Sequence, residues 1–127
     1  MAKIKIAQNP TFTAEVKITR VGSEPVAVEF TFRYFDRTAL AKIYDGWNQA
    51  FEAHAEKCKA EGASLEQFTS GQVQLQADQI KAVTAGWGFD DKFTDQAILD
   101  LVITCVGAPQ AVLDAYQNAY SPARVGN

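Results

Sequence analysis

The sequence predicts an α+β fold: an N-terminal antiparallel β-hairpin packed on a mostly helical domain of four or so helices. Three observations predict it. Two early segments alternate apolar and polar residues with a period of two. Most of the chain after Asp36 repeats its apolar residues at spacings of three and four. Glycine or proline punctuates most of the changes between patterns. The 127 residues suit one domain spanning 1–127, since domains most often hold about 100–150 residues.

In the first strand Phe12, Ala14, Val16 and Ile18 alternate with Thr13, Glu15, Lys17 and Thr19, which gives one apolar face. Gly22-Ser23-Glu24-Pro25 is the turn, with glycine tolerant of positive φ and proline holding φ near about −65°. In the second strand Val26, Val28, Phe30, Phe32 and Tyr34 alternate with Ala27, Glu29, Thr31 and Arg33. β-Branched and aromatic residues of this kind favour strands. A lone hairpin is marginal in water, so its face needs a cover. The helix that follows at once is expected to supply it.

Asp36 can cap that helix by accepting bonds from the free N–H groups of its first turn. Leu40, Ile43, Tyr44, Trp47, Phe51, His54 and Cys58 form one stripe, and Lys42, Asp45, Gln49, Glu52, Glu56 and Lys59 the solvated face. Gly62 is a natural stop. Gly46, inside the helix, costs roughly 1 kcal/mol relative to alanine and suggests close approach of another backbone or a slight bend. From Ala63 to Gly71 the pattern weakens. Ser64 with Glu66 and Gln67 resembles a cap for one turn, but Thr69-Ser70-Gly71 reads as a break, so a flexible connection is expected there.

A further helix is expected from about Val73 to Ala85, with Val73, Ala77, Ile80 and Val83 inward and Gly86 at its end. Trp87, Phe89 and Phe93 then fall in a loop among Asp90, Asp91 and Lys92. Thr94 caps a helix whose inward residues are Ile98, Leu101, Val102 and Cys105, and Gly107 closes it. Pro109 is expected at the first position of the last helix, where its missing N–H costs nothing. That helix carries Val112, Leu113, Tyr116 and Tyr120, and Pro122 is expected to end it.

The composition excludes several functions. The formal net charge of −3 offers no footprint for a phosphate backbone, so nucleic acid is not an expected partner. No apolar run approaches the roughly 20 residues needed to span a bilayer, and Met1–Ala7 lacks the apolar core of a secretory signal. A soluble protein of the cytoplasm is expected. Cys58 and Cys105 stand far apart and read as small core residues. His54, Cys58 and Glu61 could supply three metal ligands, but a partly buried helix-edge histidine is the simpler reading, and no metal or cofactor is expected. Asp90, Asp91 and Asp95 lack the spacing of a calcium loop. Asp95 suits the first turn of its helix, where the dipole favours negative charge. No nucleophile elbow or phosphate loop occurs, and one histidine with scattered carboxylates gives no acid–base arrangement. The chain reads as a non-enzyme.

What remains is a set of aromatic residues. Trp87, Phe89, Phe93, Tyr116 and Tyr120 are candidates for contact with another protein, since aromatics serve both as core anchors and as interface hot spots. Both readings stay open in the sequence. The hairpin edge is a further opportunity, through backbone groups another strand can pair with.

The order of landmarks then becomes informative. Pro10-Thr11-Phe12 leads a strand, Gly22 to Pro25 forms a turn, and Val26–Arg33 reads Val-x-Val-x-Phe-x-Phe-Arg. A long helix follows, then Gly86-Trp87 with Asp90 and Phe93-Thr94. Gly107-Ala108, Ala115-Tyr116 and Ala123-Arg124-Val125-Gly126-Asn127 complete the series. Taken together the chain resembles the tail assembly chaperones of long-tailed bacteriophages and prophages. One departure is Val106-Gly107-Ala108-Pro109, where the proline comes after the Gly-Ala pair instead of before it. The resemblance implies a protein that binds the tape-measure protein, helps recruit major tail protein and self-associates. It further implies residence in the host cytoplasm, absence from the mature virion, and often a longer form made by translational frameshifting. A small tail-completion or head–tail connector protein retained in the virion is the alternative.

Overall fold

A computed structural model describes the backbone of residues 10–124 and the side chains through Ser121. The expectations placed on Met1–Ala7 and on the last residues of the landmark series lie outside that range. The element order is β1 (Thr11–Ile18), β2 (Val26–Arg33), α1 (Arg37–Glu61), α2 (Leu65–Val83), β3 (Thr84–Trp87), α3 (Asp95–Thr104) and α4 (Ala108–Arg124). The α+β fold with its N-terminal hairpin is as expected.

β1 and β2 pair antiparallel from Thr11↔Arg33 to Ile18↔Val26. The alternation works as read: Val16, Ile18, Val28, Phe30 and Phe32 are buried while Thr13, Glu15, Lys17 and Glu29 are exposed. Val26, at the turn end, is the exception and stays exposed. Gly22 adopts the positive φ, 77°, that the turn demands.

A third strand was not legible. β3 pairs antiparallel with β2 through Phe30↔Trp87, Thr31↔Gly86 and Phe32↔Thr84, with an irregularity between Thr31 and Phe32. The expected helix to Ala85 therefore stops at Val83, and Trp87 begins its loop from a strand. The sheet order is β1-β2-β3.

α1 is capped by Asp36, whose side chain accepts from the Ala39 N–H, and it ends at Gly62 in the left-handed region. Its apolar stripe is where the sequence placed it, yet only Leu40 is buried and the rest is half-covered. The reason is position. α1 packs on α2, and the sheet is covered by α4 lying on β1, with α2 against β2 and β3. The expectation that α1 covers the hairpin is thus corrected. Gly46 faces open space, so close approach of a backbone does not explain it.

The expected break at Ala63–Gly71 is also corrected. Ser64 and Gln67 form a capping box, with the Ser64 hydroxyl accepting from the Gln67 N–H and the Gln67 side chain accepting from the Ser64 N–H. The helix then runs through Thr69-Ser70-Gly71 to Val83. Tertiary packing supports it there: Phe68 stacks on His54 with centroids 5.1 Å apart. Gly71 lets the His54 ring approach, because an added Cβ would overlap the imidazole.

Thr94 caps α3 by accepting from the Ala97 N–H. Pro109 is the second residue of α4, still among the first N–H positions that lack an intrahelical partner. α4 continues past Pro122 to Arg124, since a proline in the last turn removes one backbone bond without halting the chain's helical path. The buried residues form one cluster, in which Phe30, Phe32, Ile80, Ile98, Val112 and Tyr116 are fully enclosed.

Candidate protein-binding surfaces

Trp87 is the hub of the expected aromatic group. Its ring meets Phe89 edge-on at 4.9 Å, Phe93 at 5.0 Å and Phe30 at 6.0 Å. Its indole N–H donates to the Asp91 carbonyl at 2.8 Å, which closes the loop onto the ring. The Gly88 N–H donates to the Glu29 carbonyl at 2.7 Å, and a Cβ there would press on that same oxygen. The loop is therefore held rigidly from β2. Trp87, Phe89 and Phe93 are each half-buried, anchored inward on Phe30 and the core while keeping part of each ring in water. They share one cluster.

Tyr116 and Tyr120 lie elsewhere, inside the core. The Tyr116 hydroxyl donates to the Arg33 carbonyl at 2.9 Å and that of Tyr120 to the Phe35 carbonyl at 2.7 Å. These bonds tie α4 to the end of β2 and the start of α1. Tyr116 also packs on Phe32 at 5.2 Å and Phe12 at 5.5 Å. Burial pushes the Tyr116 phenol well up, with the neighbouring phenols of Tyr44, Tyr120 and Tyr34 adding to it. Tyr44 is raised by burial too, against the opposing effect of its bond to Gln117. Tyr116 has no exposed surface in this fold. Its part in partner contact narrows to holding α4 in place.

His54 serves helix packing. Its Nε2 lies 2.8 Å from the Phe68 carbonyl, which can only accept, so Nε2 carries a proton. Cys58 Sγ is 3.7 Å from Nδ1. Among the described residues no three His, Cys, Asp or Glu side chains stand close enough to share a metal ion. Asp95 sits in the first turn of α3 and pairs with Lys81 at 2.8 Å, an exposed bridge worth little. No single helix among the described residues is long and apolar enough to cross a membrane. α3 and α4 meet that test only together, with a 110° bend between them.

Two grooves flank α3. The first, of 530 Å³, lies between the turn end of the sheet, the Trp87 loop and α3. Its floor holds Ile18, Val28, Trp87, Phe89 and Leu101, and its charged lining among the described residues is Glu29, Asp90, Asp91 and Asp100 against Arg20. The second, of 680 Å³, lies between the start of α2 and the end of α3. None of its lining side chains among the described residues is charged: Leu65, Phe68, Val73, Leu99, Ile103 and Val106 are interspersed with glutamine, serine and threonine. Leu65 is 80%, Ile103 59% and Val106 90% exposed. Side chains this large and apolar, gathered in one open groove, make it a candidate interaction surface.

Sequence reasoning missed this second groove. Ile103 falls off the inward stripe of α3 and Val106 lies just past its end, and those positions were the available signal. Leu65 could not be placed while its segment read as a break. A family model described as phage tail assembly chaperone matches residues 1–127. No curated protein and no solved structure matches the chain.

Proposed function

The chain belongs to the phage tail assembly chaperone family over its whole length, and from that premise we propose that it binds the tape-measure protein and helps recruit major tail protein during tail-tube assembly. The observation that supports this reading is the uncharged groove beside Leu65, Ile103 and Val106. A tape measure is a long, mostly helical chain with apolar surface exposed until the tube encloses it. A groove between two helices accepts the apolar stripe of such a helix, anchored by side chains one turn apart. Glutamine, serine and threonine around the rim satisfy polar groups without selecting for charge. This suits a client whose sequence varies along its length. Several copies on one client gain avidity from being tethered to the same chain. The role needs no bond-making chemistry.

The Trp87, Phe89 and Phe93 cluster is the second surface in this proposal, used for self-association, while Tyr116 and Tyr120 hold α4 against the sheet. Its half-buried rings present flat apolar area at low entropic cost. The protein acts in the host cytoplasm and leaves before the virion is complete.

Co-expression with a tagged tape-measure protein tests the reading. The chain should co-purify with it, and mass spectrometry of purified virions should not find it. A chain that fails to co-purify, or that is a stoichiometric virion component, overturns the proposal and favours a tail-completion or connector role.

A further inference from the structure

The groove under Trp87 and Phe89 combines an apolar floor with a lopsided charge. Glu29, Asp90, Asp91 and Asp100 are all exposed, and Arg20 is the one cation in the lining among the described residues. None of the four carboxylates takes part in an ion pair among the described residues, where the single bridge is Lys81–Asp95. Its occupant should therefore bring apolar side chains for the floor and positive charge for the rim.

The chain itself contains a segment of that chemistry. Residues 1–9 read Met-Ala-Lys-Ile-Lys-Ile-Ala-Gln-Asn, with Ile4 and Ile6 two apart, Lys3 and Lys5 between and before them, and no acidic residue. In an extended conformation the isoleucines share one side. The lysine stems are long enough to bend back toward flanking carboxylates.

Reach decides which copy supplies the segment. The Tyr34 N–H donates to the Pro10 carbonyl, so Pro10 sits at the open end of the hairpin. The groove lies toward the other end, with Val28 opposite Val16. Six residues of strand separate Pro10 from Val16, about 20 Å at roughly 3.3 Å each. The four steps from Pro10 back to Ile6 cover at most about 14 Å even when fully extended. Ile6 cannot reach the floor of its own groove, so Ile4 and Ile6 of one chain cannot lie on that floor together.

The geometry points to residues 1–9 of a second copy as the occupant of the Trp87 groove, with Ile4 and Ile6 on the floor and Lys3 and Lys5 against Glu29, Asp90, Asp91 and Asp100. Each copy then offers one arm and one groove. The contact is between unlike surfaces, so reciprocal exchange closes a dimer and successive exchange builds a ring or chain. This inference rests on the reading of the Trp87 cluster as a self-association surface, and names what binds there.

Charge reversal tests it on the full chain by sedimentation equilibrium. Lys3→Glu with Lys5→Glu, and separately Asp90→Lys with Asp100→Lys, should each weaken self-association at least about tenfold. An equimolar mixture of the two reversed proteins should associate within about threefold of the unaltered chain, since each restores a complementary pair. Unchanged association in the arm variant overturns the proposal, as does a chain that stays monomeric at every concentration, or a mixture that fails to recover. A peptide of residues 1–9 titrated into the Trp47→Phe protein gives a readout that does not rely on groove variants folding. It should shift Trp87 fluorescence and dissociate the oligomer, and no shift counts against the arm. Tape-measure co-purification is read alongside. Failure of the arm leaves association unchanged, whereas failure of the client reading leaves the unaltered chain without its client, so the two are distinguishable.

Discussion

Replacing Leu65, Ile103 and Val106 together by glutamine should separate client binding from folding. Fully burying a side chain of this kind stabilises by roughly 1.5–3 kcal/mol. Scaled by their exposures of 80%, 59% and 90%, the three together could contribute about 3–7 kcal/mol if a client covered them wholly. Incomplete coverage and the ordering of side chains reduce this, and such contributions do not add simply. A net loss of about 2–3 kcal/mol remains, or roughly 30- to 150-fold in affinity. The folded chain should hardly notice. These side chains already lie in water, where substitutions usually change stability by no more than about 0.5 kcal/mol each. The assay pairs quantitative pull-down of the tape-measure protein with thermal unfolding of the isolated variant. Binding within about twofold of the unaltered chain would refute the placement of the client groove. A large fall in melting temperature would refute the view that the three residues stand outside the core.

Alanine should act oppositely at two helical glycines. Gly46→Ala faces open space and should stabilise by about 0.5–1 kcal/mol, whereas Gly71→Ala drives a methyl into the His54 ring and should destabilise by about 1–3 kcal/mol. Equal signs in chemical denaturation would show that the α1–α2 packing is misjudged, and His54→Ala should relieve the Gly71 defect. The Thr84 hydroxyl is buried without a hydrogen-bond partner among the described residues. Thr84→Val should therefore raise stability by about 1 kcal/mol, and a loss would mean that the hydroxyl is satisfied. Tyr116 has its phenol raised above the ordinary 10.0, mainly by burial. The unfolded chain thus releases this proton first, so stability is intact below pH 10.0 and declines as pH climbs through the raised value. Melting temperatures followed into that alkaline range should fall, and Tyr116→Phe should fall less steeply; parallel curves would remove Tyr116 as the cause.

Local chemistry was legible at most positions where it acts within a few residues. The alternation of Val16 and Ile18 with Lys17, and of Phe30 and Phe32 with Thr31, specified the hairpin and its buried side. Asp36, Thr94 and Gly62 marked helix boundaries because each acts on backbone groups of the adjoining turn. Ser64 and Gln67 sent the same kind of signal. The weak helix propensity of Thr69-Ser70-Gly71 masked it, although the His54–Phe68 stack outweighs that propensity in the fold.

β3 was hidden for a different reason. Thr84–Trp87 is four residues long and includes Gly86, too short for a period and supported only by pairing with β2, more than fifty residues away. The candidate site divided along the same line. Trp87, Phe89 and Phe93 could be found as an aromatic cluster, but the half-burial of Trp87 and Phe89 follows from Phe30 against them, with Phe93 packed on Trp87. Tyr116 and Tyr120 looked equivalent to them in sequence and proved to be core. Their hydroxyls find backbone carbonyls about eighty residues earlier.

The residues alone specified the hairpin, the presence of four helices, the Asp36, Gly62 and Thr94 caps, and the apolar side of each helix. All of these rest on backbone bonds and periodicity within one element. It took packing in three dimensions to set α4 and α2, not α1, over the sheet. Only that packing revealed that Ile103 and Val106 meet Leu65 across an uncharged groove. An apolar stripe states that a helix must be covered without naming the neighbour that covers it, because the hydrophobic effect has no direction. The choice among neighbours is made by shape. Tyr116 on Phe12 and Phe32, with its hydroxyl on the Arg33 carbonyl, fits α4 to the sheet. That leaves α1 to pack on α2, its stripe half-covered.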